Sequence, residues 1–167
     1  TSDGSFMIAG TTESSDGDIS FNKGFSDVWL IKIDSIGTII WENTLGGSHD
    51  EEANTIYQTS DNGFIIFGTT DSNDDDVSGL HISPILPALL SDGWLVKTDS
   101  VGHIQWQRCL GGTYFDYGRD LKITADSGYI LAEDVWSNDG DVTNFHGQDD
   151  YWLVKVDQSR TIVWSKT

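Results

Sequence analysis

Carboxylates gather in the same kind of loop three times along this chain: Asp16-Gly17-Asp18, Asp74-Asp75-Asp76 and Asp139-Gly140-Asp141, each followed by Ile or Val and then Ser or Thr. Clustered carboxylates and carbonyl oxygens suit a hard cation, which makes Asp16, Asp18, Asp74, Asp76, Asp139 and Asp141 candidate calcium ligands. No run has the spacing of an EF-hand with its terminal Glu, and Asp, Asn, Ser and Gly also build Asx turns in solvated loops. Calcium binding and plain turn chemistry are both open at these positions.

Other chemistry finds less support. His49, His81, His103 and His146 show no metal-ligand spacing, and Cys109 follows a strand Trp with no repeated His nearby. Glu51 and Asp116 stand at equivalent places after Gly46-Gly47 and Gly111-Gly112. A catalytic pair is normally unique to one site, so duplicated acids read as turn caps. No catalytic residue is assigned, and calcium is the one cofactor suggested.

Two groups break the regularity and are therefore better placed for binding. Tyr114, Phe115, Tyr117, Arg119 and Trp136 form an aromatic, partly polar set; aromatic faces stack on sugar rings or fill protein hot spots, and a repacked sheet edge would account for them as well. The second is the run Leu80 to Leu90, whose Ile82, Ile85, Leu86, Leu89 and Leu90 would be costly to leave wet. Pro84 and Pro87 disfavour a helix or central strand there. The run either folds back on its own sheet or meets another protein.

The elements that hold these residues come from a repeat. Asp27-Val28-Trp29-Leu30-Ile31-Lys32-Ile33-Asp34 returns as Asp92-Gly93-Trp94-Leu95-Val96-Lys97-Thr98-Asp99 and as Asp150-Tyr151-Trp152-Leu153-Val154-Lys155-Val156-Asp157. Thr1-Ser2-Asp3-Gly4 with Phe6, Thr59-Ser60-Asp61 with Gly63-Phe64, and Thr124-Ala125-Asp126 with Gly128-Tyr129 form a second anchor. Trp41 to Gly46-Gly47 and Trp106 to Gly111-Gly112 form a third, and Trp164 is their equivalent near the end. The anchors divide the chain into repeats 1–58, 59–123 and 124–167, with a basic period of 58, an insertion of 7 residues near 80–90 of the middle copy and a last copy short of one strand.

Each copy offers four strands, in the first about Phe6–Thr11, Val28–Ile33, Ile39–Thr44 and Ala53–Gln58. Asp34-Ser35-Ile36-Gly37 and Asp99-Ser100-Val101-Gly102 read as hairpin turns, a pattern that Arg160 breaks. Side chains on a strand alternate between faces, and both faces of the Asp-x-Trp strands are apolar. Sheets covered on both sides follow, and the expected fold is all-β, three tandem four-stranded antiparallel units of a β-propeller, one of them incomplete. Trp29, Trp94 and Trp152, placed identically, are expected in the core.

Thr-Ser-Asp-Asn-Gly-Phe-Ile-Ile-Phe-Gly-Thr-Thr, the acidic loop, Trp-Leu-Val-Lys-Thr-Asp-Ser-Val-Gly, Ile-Gln-Trp and the Gly-Gly pair resemble the propeller-like repeats of large secreted and cell-surface proteins of Bacteroidota-type bacteria, over essentially the whole chain. The resemblance implies export, often with a C-terminal type IX secretion sorting domain, and carries no catalytic residues with it. Glu133-Asp134, where Gly68-Thr69 would be expected, is a departure, as are Arg160 and the insertion.

Composition is consistent with that reading. The 9 Lys and Arg against 27 Asp and Glu leave a net charge of -18, which repels phosphate backbones and anionic membrane surfaces alike. One cysteine permits no internal disulfide, and no apolar run approaches the roughly 20 residues of a membrane helix. With no signal peptide in view before Thr1, a mature or excised segment is expected. The sequence thus reads as a non-catalytic propeller segment, extracellular or on the cell surface, that presents loops to a protein or glycan and packs against further blades of the same parent chain. A propeller glycan hydrolase or lyase and a structural spacer are the alternatives.

Overall fold

A computed structural model describes residues 1–85 and 90–167. Among these the chain is all-β, with eleven strands and no helix. The strands are β1 (Phe6–Thr12), β2 (Asp27–Ile33), β3 (Ile39–Leu45), β4 (Glu51–Gln58), β5 (Phe64–Thr70), β6 (Asp92–Thr98), β7 (Ile104–Leu110), β8 (Asp116–Ile123), β9 (Tyr129–Val135), β10 (Asp150–Val156) and β11 (Ile162–Lys166). They form three antiparallel meanders, ordered β1-β2-β3, β4-β5-β6-β7 and β8-β9-β10-β11.

The sheets are one strand out of phase with the sequence repeats. The strand that closes the first copy, β4, hydrogen-bonds to β5 of the second copy and begins a new sheet, as β8 does with β9. The shortened sheet is therefore the first, which has three strands, while the third is a full four. The cause lies in the two kinds of glycine turn. Asp61-Asn62-Gly63 is a tight hairpin in which the Thr59 N–H donates to the Gly63 carbonyl at 2.9 Å and Asn62 takes φ 64°. Gly46-Gly47 instead carries the chain across from one sheet to the next, where Ser26 and Asp50 make an isolated parallel bridge.

At the β2–β3 and β6–β7 turns, Asp34 accepts the Ile36 and Thr38 N–H groups at 2.9 and 2.8 Å, and Asp99 accepts those of Val101 and His103, both at 2.9 Å. Gly37 and Gly102 take φ 89° and 86°, and Arg160 adopts the same left-handed geometry at φ 69° without being glycine. The unusual residue is accommodated and the turn is not rebuilt.

Two apolar seams hold the sheets together. In the first, Val28, Leu30 and Leu45 face Phe64, Ile66, Trp94, Val96 and Cys109. In the second, Ile65, Phe67, Leu95 and Leu110 face Leu121, Tyr129, Leu131, Trp152 and Val154. The middle sheet is covered on both faces, so β5 and β6 are buried throughout. Each large side chain so buried stabilises the fold by about 1.5–3 kcal/mol. Trp94 and Trp152 are core as expected, whereas Trp29 is half-buried because no sheet covers its face.

The middle copy's extra residues are spliced between two fixed points. In the first and third sheets Asp27 and Asp150 accept the N–H of the residue four positions before them, Lys23 at 2.6 Å and His146 at 2.5 Å. In the middle sheet Asp92 accepts the N–H of His81, eleven positions before it, at 3.0 Å. Ile82 and Ile85 are exposed on this loop, Leu86 and Leu89 lie outside the described residues, and Leu90 is buried. Buried in this way, Leu90 presents little side-chain surface to a partner, unlike Ile82 and Ile85.

Candidate functional site

The acidic loops act across the seams. Asp74, after β5, accepts the Ser48 N–H at 2.8 Å, and Asp139, after β9, accepts the Thr113 N–H at 2.7 Å and its hydroxyl at 2.6 Å. These bonds from the preceding sheet's Gly-Gly turn hold both carboxyls below their ordinary range. The last acid of each loop meets a cation from the same neighbour: Asp76 pairs with Lys23, and Asp141 pairs with Arg108 at 3.1 Å. Asp16 and Asp18 occupy the corresponding loop of the first sheet, which has no preceding turn packed against it. Among the described residues no group of three His, Cys, Asp or Glu side chains is arranged to hold a metal ion.

Glu51 and Asp116 cap the Gly-Gly turns from beneath. The Gly47 N–H donates to Glu51 Oε2 at 2.6 Å and the Thr70 hydroxyl to Oε1 at 2.7 Å. Asp116 accepts the Gly112 N–H and the Ser137 hydroxyl, each at 2.6 Å. Burial raises both carboxyls, the hydrogen bonds opposing it.

A third buried acid has no such partners. Glu133 is fully buried in β9, and neither carboxyl oxygen has a hydrogen-bond partner among the described residues. Burial, with Asp116 and Asp92 nearby, pushes it well above the ordinary carboxyl range. Asp92 Oδ2 accepts from His81 at 2.7 Å while Oδ1 is unpartnered, and burial pushes Asp92 up to about 6. Cys109 is buried in the first seam, and desolvation raises its thiol further.

The aromatic set converges, with Tyr114 and Trp136 exposed and Phe115 and Tyr117 half-buried. Tyr114 meets Phe115 edge-on at 5.3 Å between centroids, Phe115 stacks with Tyr117 at 6.3 Å and 5°, and the Arg119 guanidinium lies 5.2 Å over the Tyr117 ring. Arg119 is oriented by Asp134 at 2.7 Å. Trp136 joins them through its backbone, donating to the Phe115 carbonyl at 2.9 Å. Ile82 and Ile85 are on the separate insertion loop.

Tyr117 also lines a cleft of about 370 Å³ whose other wall carries Glu13, Asp50, Glu52 and Asp71. Asp50 accepts from the Ser26 hydroxyl at 2.7 Å. Burial, reinforced by Asp50 and Glu51, pushes Asp71 up to about 6. These four acids escape a search for catalytic spacing, yet the repeat does mark them. Asp50 and Glu52 are the positional equivalents of Phe115 and Tyr117, and Glu13 and Asp71 are those of Trp136. Of these aromatic counterparts Tyr117 alone lines the cleft, facing the four carboxylates. No protein-family model matches the chain, and no curated protein matches it.

Proposed function

We propose that this chain is a non-catalytic β-propeller segment of a secreted or surface-displayed protein, and that the cleft between Tyr117 and the Asp50–Asp71 wall binds a glycan. The observation that carries the reading is one cleft that sets the Tyr117 ring against four carboxylates, Glu13, Asp50, Glu52 and Asp71. A sugar has apolar C–H faces that pack on aromatic rings and hydroxyls that donate to carboxylates, so it uses both walls at once. The three-sheet meander with two-sided burial supports the propeller assignment, in which the faces left open on the first and third sheets meet further repeats. Export through a type IX route accompanies the resemblance of the repeats. Isothermal titration against a panel of oligosaccharides tests the binding: Tyr117→Ala and Asp50→Asn should each weaken a hit by roughly tenfold, about 1.4 kcal/mol. If no oligosaccharide binds, or if both variants bind like the parent, the reading fails.

One observation favours a glycan hydrolase as the second reading. Asp71, pushed up to about 6 beside Glu13, Asp50 and Glu52, provides an acid and a neighbouring carboxylate of the kind glycosidic cleavage requires. Release of reducing ends that disappears in Asp71→Asn would establish it over simple binding.

A further inference from the structure

The second seam opens into a cavity of about 470 Å³ at the end of the strands away from the Tyr117 cleft. Gln58, the last residue of β4, lines the cavity, whereas Glu52, near the start of the same strand, lines the cleft. At about 3.4 Å per residue the two lie about 20 Å apart. Both walls of the cavity are sheets of this chain, the middle and the third, so the open faces of the first and third sheets have no part in it.

Three of the lining positions depart from the repeat, and each departure adds or extends a hydrogen-bonding side chain. Gln105 stands where the other copies have Ile40 and Val163, Tyr129 where they have Phe6 and Phe64, and Gln158 where they have Ser35 and Ser100. Gln105 Oε1 accepts from Lys97 Nζ at 3.2 Å, which leaves its amide nitrogen to donate elsewhere. Gln158 Nε2 donates to the Asp126 carbonyl at 3.1 Å, which leaves its amide oxygen to accept. The Trp106 and Tyr129 rings meet at 6.1 Å between centroids and 55° between planes, and neither the indole N–H nor the phenol has a hydrogen-bond partner among the described residues. The charge in the wall cancels: Lys97 Nζ donates to both Asp61 carboxylate oxygens at 3.1 and 3.0 Å and to the Thr98 carbonyl at 2.8 Å.

We propose that this cavity binds a neutral pyranose sugar, as a second site separate from the Tyr117 cleft. Its volume falls in the range of about 300–1,000 Å³ usual for small-molecule sites. A charged ligand finds no free counter-charge, because Asp61 and Lys97 neutralise each other. A hydrocarbon would cover the amides and hydroxyls without pairing them, at the cost of their lost hydration. A neutral sugar meets both demands: its C–H face packs on an aromatic ring, and its hydroxyls both donate and accept, as Gln105, Gln158 and Tyr129 require. The four carboxylates of the Tyr117 cleft take no part here, so the two sites bind independently.

The Trp106 indole N–H resonance, assigned in nitrogen-15-labelled chain by its loss in Trp106→Phe, reports on the cavity directly. Titration with maltose, cellobiose and N,N′-diacetylchitobiose should shift it saturably with at least one of the three. Gln105→Ile combined with Tyr129→Phe restores residues that the same places hold in the first seam, so the fold already accommodates them, and it should weaken that binding roughly tenfold. A Trp106 resonance unmoved by all three sugars overturns the site, as does a double variant that responds like the parent. Tyr117→Ala separates this site from the cleft: a Trp106 shift that persists in it belongs to this cavity even where the cleft binds nothing, and a shift lost in it overturns a separate site.

Discussion

Glu133 fills the space that Gly93 leaves across the second seam. A Cβ on Gly93 would lie 2.6 Å from Glu133 Oε2, and the two positions depart from the repeat together. Where the other copies have Val28 and Tyr151, the middle one has Gly93; where they have Gly10 and Gly68, the last one has Glu133. A carboxyl is thus held between two sheets by the absence of a side chain opposite. Gly93→Ala should force it toward Asp92 and Asp116 and cost about 1–3 kcal/mol in chemical denaturation.

The same carboxyl sets a pH dependence. Glu133, Asp92 and Asp116 are all raised by burial, and His81 is raised by its bond to Asp92. Raised groups hold more protons in the folded chain than in the unfolded one, so their contribution is present at low pH and lost as pH rises. Asp61, lowered to about 2 by Thr59 and Lys97, acts oppositely, but its contribution is lost only as pH falls below about 4. Stability should therefore fall as pH rises from about 4, through Asp92 near 6. Glu133→Gln should flatten that slope in urea melts, and an unchanged slope would mean that Glu133 does not carry the proton.

Arg160 sits at φ 69° where its counterparts are Gly37 and Gly102. A left-handed conformation costs an L-residue about 1–2 kcal/mol, partly offset by the larger entropy of glycine in the unfolded chain. Arg160→Gly should raise stability by about 1 kcal/mol in equilibrium denaturation. The Arg108 contact, made to the backbone carbonyl of residue 160, is unaffected by the change.

With Asp74, Asp76, Asp139 and Asp141 engaged by the neighbouring sheet, added calcium has no free carboxylate pair to organise there. With Asp16 and Asp18 replaced by Asn, melting temperature should be the same in chelator and in millimolar calcium, whereas Asp139→Ala should lose about 1 kcal/mol with its two bonds to Thr113. A calcium-dependent rise would return these loops to cation binding.

Cys109, buried between Trp94 and Val96 of its own sheet and the first sheet, reacts only when the seam opens. Its modification by a disulfide reagent should be negligible in the native chain and complete in denaturant. Rapid labelling under native conditions would show that the seam breathes.

Strands and turns were legible because local chemistry decides them: Asp-x-Trp strands alternate, and Asp with Gly closes their hairpins. The pairing of strands into sheets was not, since Asp61-Asn62-Gly63 and Gly46-Gly47 are both glycine turns and only long-range packing distinguishes a hairpin from a crossing. The aromatic side of the cleft, Tyr117, stands out because it belongs with Tyr114, Phe115 and Trp136 to a group conspicuous in a polar chain. Its acidic half was hidden: Glu13, Asp50, Glu52 and Asp71 look like ordinary surface residues in a chain of 27 acids. Superposing equivalent repeat positions reveals them. Leu90 shows a related limit: the apolar run Leu80 to Leu90 is read as one group, and its composition does not say that Leu90 turns inward while Ile82 and Ile85 face out.

The one-strand offset between repeat and sheet has a genetic consequence. A unit of 58 residues excised at any phase removes one strand of each kind, so the strands that remain still pair in the same order. Unequal exchange between neighbouring copies can then lengthen or shorten the array without regard to where the crossover falls. A truncation made at the bench has no such freedom: cutting at residue 59 divides the β4–β5 hairpin, and a cut between Gly47 and Glu51 leaves every sheet whole.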